Sequence, residues 1–584
     1  MKDVKKDDHP FSEECCGTSA SMINHICHIL CIIYSKEVAH GLRPRLKDLM
    51  DRYSKNEVIL TKREKYKDRP TATEKDAILI TYADTLFRDG EAPLRTLARF
   101  LEEHVDDAVS IIHLLPFYPY SSDGGYSVID FKAVDPRLGS WKDVRHLAKN
   151  YRLMFDFVMN HVSSRSPWFQ GFLAGDKQYR DYFLWYDKQI DMPKVFRPRE
   201  HPLLTEFDTE WGKKYVWTTF SEDQIDLNYR NPEVLLKTIE VFLFYLSNGA
   251  ELVRLDAVGY MWKEPNTSCV NLSKTHQLVK LLRAVLEYTA PYAMIVAEAN
   301  FPYEENLSYY GEGHEAAMVY RFDLPPLVMD AFARKDTSYI VRERSRLRQD
   351  LLFMNFLASH DGIGLPAAKE ILKKTDLEHL LATTKKHGGR ISYKKQKGVK
   401  SPYELNINYF DAINNPSTDP DPLAVERFLA SQAVMLSLQG IPGIYIHSLL
   451  GSRNDYRGVE ETGINRNINR EKLHADKVLA SLADRESLRY RVLNAYIKLL
   501  KFRGRLPAFR PRGLRAMIGY DDRLFSVERC VKGEIIRVLV NVTDETIPLP
   551  EYESKFDKLR ETPFDGNVEP YGIYFLDMTG GKTG

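Results

Sequence analysis

The chain has 584 residues, 43% of them apolar and 28% charged, so it exceeds the size at which one core stops growing and calls for a large catalytic domain with insertions and a smaller appendage. Lys plus Arg number 82 against 81 Asp plus Glu, a formal charge of +1, which excludes a global field for nucleic acid or anionic membrane. Any anion must be caught locally.

Residues 1–76 read as a helical extension, with Met22, Ile26, Ile29 and Ile33 at helical spacing. The apolar stretch Met22 to Tyr34 is about half of a bilayer span and is broken by His25 and His28, so no membrane segment is expected. Asp3, Asp7, Asp8, Glu13 and Glu14 precede it without a small-residue cleavage site after it, which argues against a signal peptide. Six cysteines, four of them crowded at Cys15, Cys16, Cys27 and Cys31, are not a disulfide framework and point to a cytoplasmic protein. Cys27, His28 and Cys31 share a short stretch, but a structural zinc site needs four ligands in a closed set, so no metal is expected.

From residue 77 to 510 the pattern changes to short apolar runs separated by helical stretches: Ala77 to Tyr82, Val109 to Phe117, Leu153 to Met159, Leu252 to Val258, Met294 to Ala297, Met318 to Phe322, Phe353 to Ala358 and Ile441 to Ile446. Buried strands alternating with helices require a parallel sheet covered on both sides, and this number of them predicts a closed (β/α)8 barrel. Insertions are expected at about 162–222, rich in aromatic residues and Pro, and at about 362–414, which carries Lys385-Lys386-His387-Gly388-Gly389-Arg390. Residues 511–584 hold alternating runs such as Leu524 to Val527 and Ile535 to Val540 and read as a small antiparallel β domain.

Polar residues follow the carboxyl ends of these runs, where such barrels build their chemistry: Asp156 with Asn160-His161, Arg254 with Asp256, then Glu298, then His360-Asp361. Cleaving a glycosidic bond with retention needs an ionised carboxylate as nucleophile and a protonated carboxyl as acid, about 5 to 5.5 Å apart. Asp256 follows a strand, and Arg254, two residues earlier on the same face, would hold it ionised. Glu298 ends the next strand among apolar neighbours, where burial would raise its pKa toward that of a working acid.

The segments Asp156 to His161, Val253 to Val258, Glu298 and Ser359-His360-Asp361 resemble the four signature regions of the α-amylase superfamily, glycoside hydrolase family 13. That resemblance implies Asp256 as nucleophile, Glu298 as acid/base and Asp361 as transition-state stabiliser, with His161, His360 and Arg254 as the superfamily's site histidines and arginine. A narrower similarity runs from Leu79 to about Arg470, through His113 to Phe117, Arg137 to Trp141, Thr267-Ser-Cys269, Leu324 to Leu327, Ser359 to Gly364 and Ile468-Asn-Arg470. It is to the sucrose phosphorylase-like branch, and it implies that Asp123 and Arg470 hold the glucosyl hydroxyls. Residues 1–76 have no counterpart in the compact sucrose enzymes.

A phosphorylase shares its first step with a hydrolase and differs in what attacks the glucosyl-enzyme. Phosphate, with its second pKa near ~6, needs a cationic cradle more than a base. The resemblance places that cradle at Arg199, in Phe196-Arg-Pro-Arg199, whose fork suits two phosphate oxygens, and gives Arg197 a structural part. Leu79 to Asp84, Leu114 to Pro119 with Ser121 to Asp123, Trp217 to Ser221, Asp223 to Arg230, Met261 to Pro265, Ser401 to Glu404 and Leu450 to Tyr456 are similar to the glucosylglycerate-acting phosphorylases of this branch. The expected partners are thus an α-glucoside and inorganic phosphate, without cofactor, nucleic acid or membrane. The acceptor rests on resemblance alone: glycerate, fructose, fructose 6-phosphate and glycerol stay open on the residues, as does a plain α-glucoside hydrolase. A glycerate carboxylate would want a cation, and the second insertion supplies Arg390, Lys394, Lys395, Lys397 and Lys400, among which the sequence does not choose.

Overall fold

The computed structural model describes residues 22–342, 348, 351–396, 399–418 and 420–579. Cys15, Cys16, the acidic residues before Met22, and Lys397 lie outside the described residues.

Eight strands form the centre: β1 (Ile78–Thr81), β2 (Ile111–Leu114), β3 (Arg152–Phe157), β4 (Ala250–Leu255), β5 (Met294–Ala297), β6 (Met318–Tyr320), β7 (Phe353–Phe356) and β8 (Ile441–Tyr445). They pair in chain order, all parallel, and β8 closes onto β1, so the expected barrel is borne out. Every residue of β4 is buried, because alternate side chains face either the barrel interior or the helical ring. Polar pairs are the exception inside the barrel, and they mark the site.

The N-terminal helices α1 (Met22–Ile33), α2 (Lys36–Ser54) and α3 (Glu57–Tyr66) pack outside this ring. Ile26, Cys27, Ile29, Leu30 and Ile33 of α1 are buried while His25 and Ile32 are exposed, so the helix is half-buried and amphipathic. Partners are α4 (Pro232–Ser247), where Arg45 forks onto Glu233 at 2.5 and 2.7 Å, and α5 (Ser273–Thr289). At the amino-terminal end of β4, buried Glu251 lies between Lys62 of α3 and Arg152, whose Nε donates to Oε2 at 2.9 Å. Removing both cations there would leave a buried carboxylate without a counter-ion.

After β3 the chain leaves the barrel. His161–Ser163 pairs with Gln224–Asp226, and a three-stranded sheet of Trp185–Tyr186, Leu204–Thr209 and Gly212–Trp217 closes over its own small core of Val195, Leu203, Leu204, Trp217 and Cys269. After β7 a second sheet joins Ile363–Gly364, Arg390–Gln396 and Val399–Asn406. Both excursions stand at the carboxyl rim of the barrel. The C-terminal segment is a six-stranded antiparallel sheet whose Phe575 packs on Phe502 and Phe509 of the barrel's last elements.

Candidate active site

Strand register sets the floor of the site. Arg254 lies opposite Asp156 in the β3–β4 ladder, and Leu255 opposite Ala297 in the β4–β5 ladder, which brings Asp256 and Glu298 out at one level on neighbouring strands. The ladder continues through both: the Asp256 N–H donates to Phe157 O and the Glu298 N–H to Leu255 O, each at 3.2 Å. Ala257, immediately after Asp256, adopts a left-handed backbone (φ 49°), and its N–H donates to Glu298 Oε2 at 3.0 Å. Such strain in a non-glycine residue persists only where its surroundings enforce it.

Arg254 is buried beneath the two carboxyls. Its Nη1 donates to Asp156 Oδ1 and to Asp256 Oδ1, the latter at 2.9 Å, while Nη2 stands 3.8 Å from Glu298 Oε2. Asp156 is pushed up by burial, but Arg254 and His113, whose Nε2 is 2.8 Å from Oδ2, outweigh this and bring it down to about 2. Arg254 is therefore partly neutralised from below. Burial raises Asp256 well above the usual carboxylate range despite Arg254, and the charge on Glu298 raises it further; burial likewise raises Glu298. The sequence reading assigned an upward push to Glu298 alone, whereas the structure applies it to both. The pair titrates as a unit. Arg254 bonds Asp256 directly and only approaches Glu298, an asymmetry that favours the charge on Asp256 and the proton on Glu298.

Asp361 faces them from beyond β7. Burial would raise its pKa, but the guanidinium charges of Arg466 and Arg470 outweigh it and hold the carboxylate below its ordinary range. Arg466 Nη1 is 2.5 Å from Asp361 Oδ1, His360 Nε2 is 3.5 Å from Oδ2 and Arg470 Nη2 is 3.6 Å from Oδ1. The other arm of Arg466 reaches Glu404 Oε1 at 2.9 Å, and that same oxygen accepts the Gly362 N–H at 3.0 Å. Burial lowers the His360 pKa to about 3, so its imidazole is neutral and stacks on Tyr126 at 5.1 Å.

These residues line one pocket of about 820 Å³ including its mouth, shared by Asp123, His161, Arg199, Asp256, Glu298, His360 and Asp361. Arg254 and Arg470 lie behind its wall. Arg470 donates from Nε to His360 O at 2.6 Å, and Gly124 is a glycine because a Cβ at its φ of +60° would come within 2.8 Å of Arg470 Nη1. Asp123, itself at φ 52°, accepts from Gln224 Nε2 at 3.2 Å, and His161 Nε2 donates to Tyr126 O at 2.9 Å. Arg199 is half-buried on the wall near Tyr260 and Tyr403, and no carboxylate pairs with it among the described residues. Arg197 turns away and donates to His201 O.

Sequence reasoning did not single out Arg466, Glu404, Tyr403, Tyr126 or Gln224, all of which line the pocket. A signal existed for the first: Ile464-Asn-Arg466 repeats as Ile468-Asn-Arg470 four residues later, one helical turn apart. Glu404 and Tyr403 both reach the pocket because the hairpin is bulged at that point, where Ser392 pairs with Glu404 but Tyr393 pairs with Pro402.

Residues 107–361 match the α-amylase catalytic domain. The chain is 46% identical to a glucosylglycerate phosphorylase of Spirochaeta thermophila, over 87% of this chain and 86% of the relative. It is 48% identical to one of Allomeiothermus silvanus, over 85% and 90%. The crystal structure of sucrose 6F-phosphate phosphorylase from Thermoanaerobacter thermosaccharolyticum superposes with a TM-score of 0.71 at 26% identity, covering 81% of this chain and 94% of that one. With a catalytic rim of this kind and that extent of likeness, the chain belongs to the glucosylglycerate phosphorylase family, within the α-amylase superfamily.

Proposed function

We propose that the protein transfers the glucosyl unit of 2-O-α-D-glucosyl-D-glycerate to inorganic phosphate, releasing α-D-glucose 1-phosphate and D-glycerate. The observation that carries this is Arg199, which meets no carboxylate among the described residues, on the wall of a pocket whose floor holds the Asp256–Glu298 pair; the glucoside is taken from the relatives' names.

In the first step Asp256 Oδ attacks the anomeric carbon while Glu298 gives its proton to the departing glycerate oxygen, leaving a β-glucosyl ester on Asp256. Ester formation removes the negative charge beside Glu298, and losing a neighbouring like charge lowers a carboxyl's pKa, so Glu298 is left a weaker base. That suits phosphate, which is already largely ionised near neutrality. Phosphate, held by Arg199, displaces the ester oxygen from the opposite face, and the second inversion restores the α configuration. Asp361 and neutral His360 and His161 hold ring hydroxyls, joined by Asp123, with Arg470 fixing the wall behind. Arg254 orients Asp256. The chemistry needs no organic cofactor.

No helix among the described residues is long and apolar enough to cross a membrane. Among the described residues Cys27, Cys269 and Cys530 are free thiols, which supports a cytoplasmic location. The reading is tested by running the reaction backwards from glucose 1-phosphate with D-glycerate, fructose, fructose 6-phosphate and glycerol in parallel. Glycerate should be the preferred acceptor; preference for another would replace the substrate, and no transfer to any would favour a hydrolase.

A further inference from the structure

Among the cations of the second insertion, the structure distinguishes Lys394 from Arg390 and Lys400. Arg390 and Lys400 are exposed. Lys394 is half-buried, with its ammonium 5.3 Å from the centre of the Phe196 ring and 5.6 Å from that of Tyr403. Tyr403 lines the catalytic pocket, and Phe196 packs at 6.4 Å on Tyr260 and Phe301, which line it too. Lys369 stands behind, its ammonium held by Ser401 Oγ at 2.6 Å and by Pro402 O, and close enough to Lys394 for the two charges to oppose each other. No carboxylate pairs with Lys369, Lys394 or Arg199 among the described residues. Two lysines close together beside the pocket, with no counter-ion among the described residues, are unfavourable unless an anion joins them. Burial already depresses the Lys394 pKa, a cost that a bound carboxylate would reverse.

We propose that Lys394, backed by Lys369, binds the carboxylate of the acceptor and so selects an acidic acceptor over water and neutral alcohols. This rests on the proposed glycerate reading, and it separates two anion contacts: Arg199 serves phosphate, Lys394 the organic acid. The bulge at Tyr403 sets the strand that presents Ser401 opposite Lys394.

The test uses α-glucosyl fluoride as donor and D-glycerate as acceptor, with water as the internal neutral competitor, in the wild type and in Lys394→Met and Lys394→Arg. The measured quantity is the ratio of glucosylglycerate to free glucose at fixed glycerate. Loss of one charge-assisted contact should lower that ratio by about tenfold or more in Lys394→Met. Lys394→Arg should stay within about threefold of wild type, and so should the glucose 1-phosphate to glucose ratio of Lys394→Met when phosphate replaces glycerate. A loosened fold would lower total turnover and leave the ratios alone, so an unchanged glycerate ratio in Lys394→Met overturns the proposal. If the wild type makes no glucosylglycerate, the substrate reading itself has failed, and the Lys394 assignment falls with it.

Discussion

Arg466 Nη1 lies 2.5 Å from Asp361 Oδ1, and the same guanidinium reaches Glu404 with its second arm, so one cation serves two carboxylates on the pocket wall. Both anions depend on it. Arg466→Met leaves Glu404 without this cation and Asp361 with only the more distant Arg470, 3.6 Å away, and breaking a buried pair from one side costs on the order of 3 kcal/mol. Asp361 is held below its ordinary range in the folded state, so its contribution to stability is full above the unfolded value near ~4 and is lost as pH falls through the folded value. The destabilisation of Arg466→Met, measured by denaturant titration, should therefore be large at pH 7 and shrink toward pH 3. A penalty independent of pH would mean that Arg466 acts through packing.

Asp256→Asn keeps the shape of the floor and removes the attacking charge. Turnover of glucosylglycerate should fall by at least a hundredfold, several kcal/mol of barrier. Activity above about one part in a hundred of wild type would show that another group attacks.

Glu298→Gln should separate donors by leaving group. Fluoride departs without a proton, so α-glucosyl fluoride should still load the enzyme while glucosylglycerate does not. Because the raised Glu298 must be protonated to act, wild-type activity on the natural donor should fall as pH rises through its pKa, and that limb should vanish in Glu298→Gln assayed with the fluoride. Equal impairment on both donors would instead make Glu298 a positioning group.

Arg199→Ala should divide the half-reactions. Phosphorolysis should weaken through a higher phosphate KM, by roughly 1.5 to 3 kcal/mol for a lost charge-assisted contact, while slow hydrolysis persists. Parallel loss of glucose and glucose 1-phosphate across a phosphate titration would remove Arg199 from the cradle.

The barrel was legible in the sequence because strands buried on both faces are predominantly apolar runs, and β4 and β5 are followed directly by Asp256 and Glu298. The rim carboxylates were legible for the same reason: a charge at the end of such a run interrupts it. Arg466 and Glu404 were not. They come from long excursions without apolar periodicity, and they meet only because the bulged hairpin folds back over the rim. The shared upward push on Asp256 was also hidden, since it comes from burial at the pocket floor and from Glu298 beside it, a placement set by strand register.

The most direct measurement is product analysis of wild-type enzyme given 2-O-α-D-glucosyl-D-glycerate at increasing phosphate, with the anomer of the sugar phosphate assigned by NMR. Double displacement on Asp256 with phosphate at Arg199 predicts α-D-glucose 1-phosphate released mole for mole with D-glycerate, and free glucose falling toward zero as phosphate rises. Free glucose as the main product at saturating phosphate, or a β-configured phosphate, would contradict it.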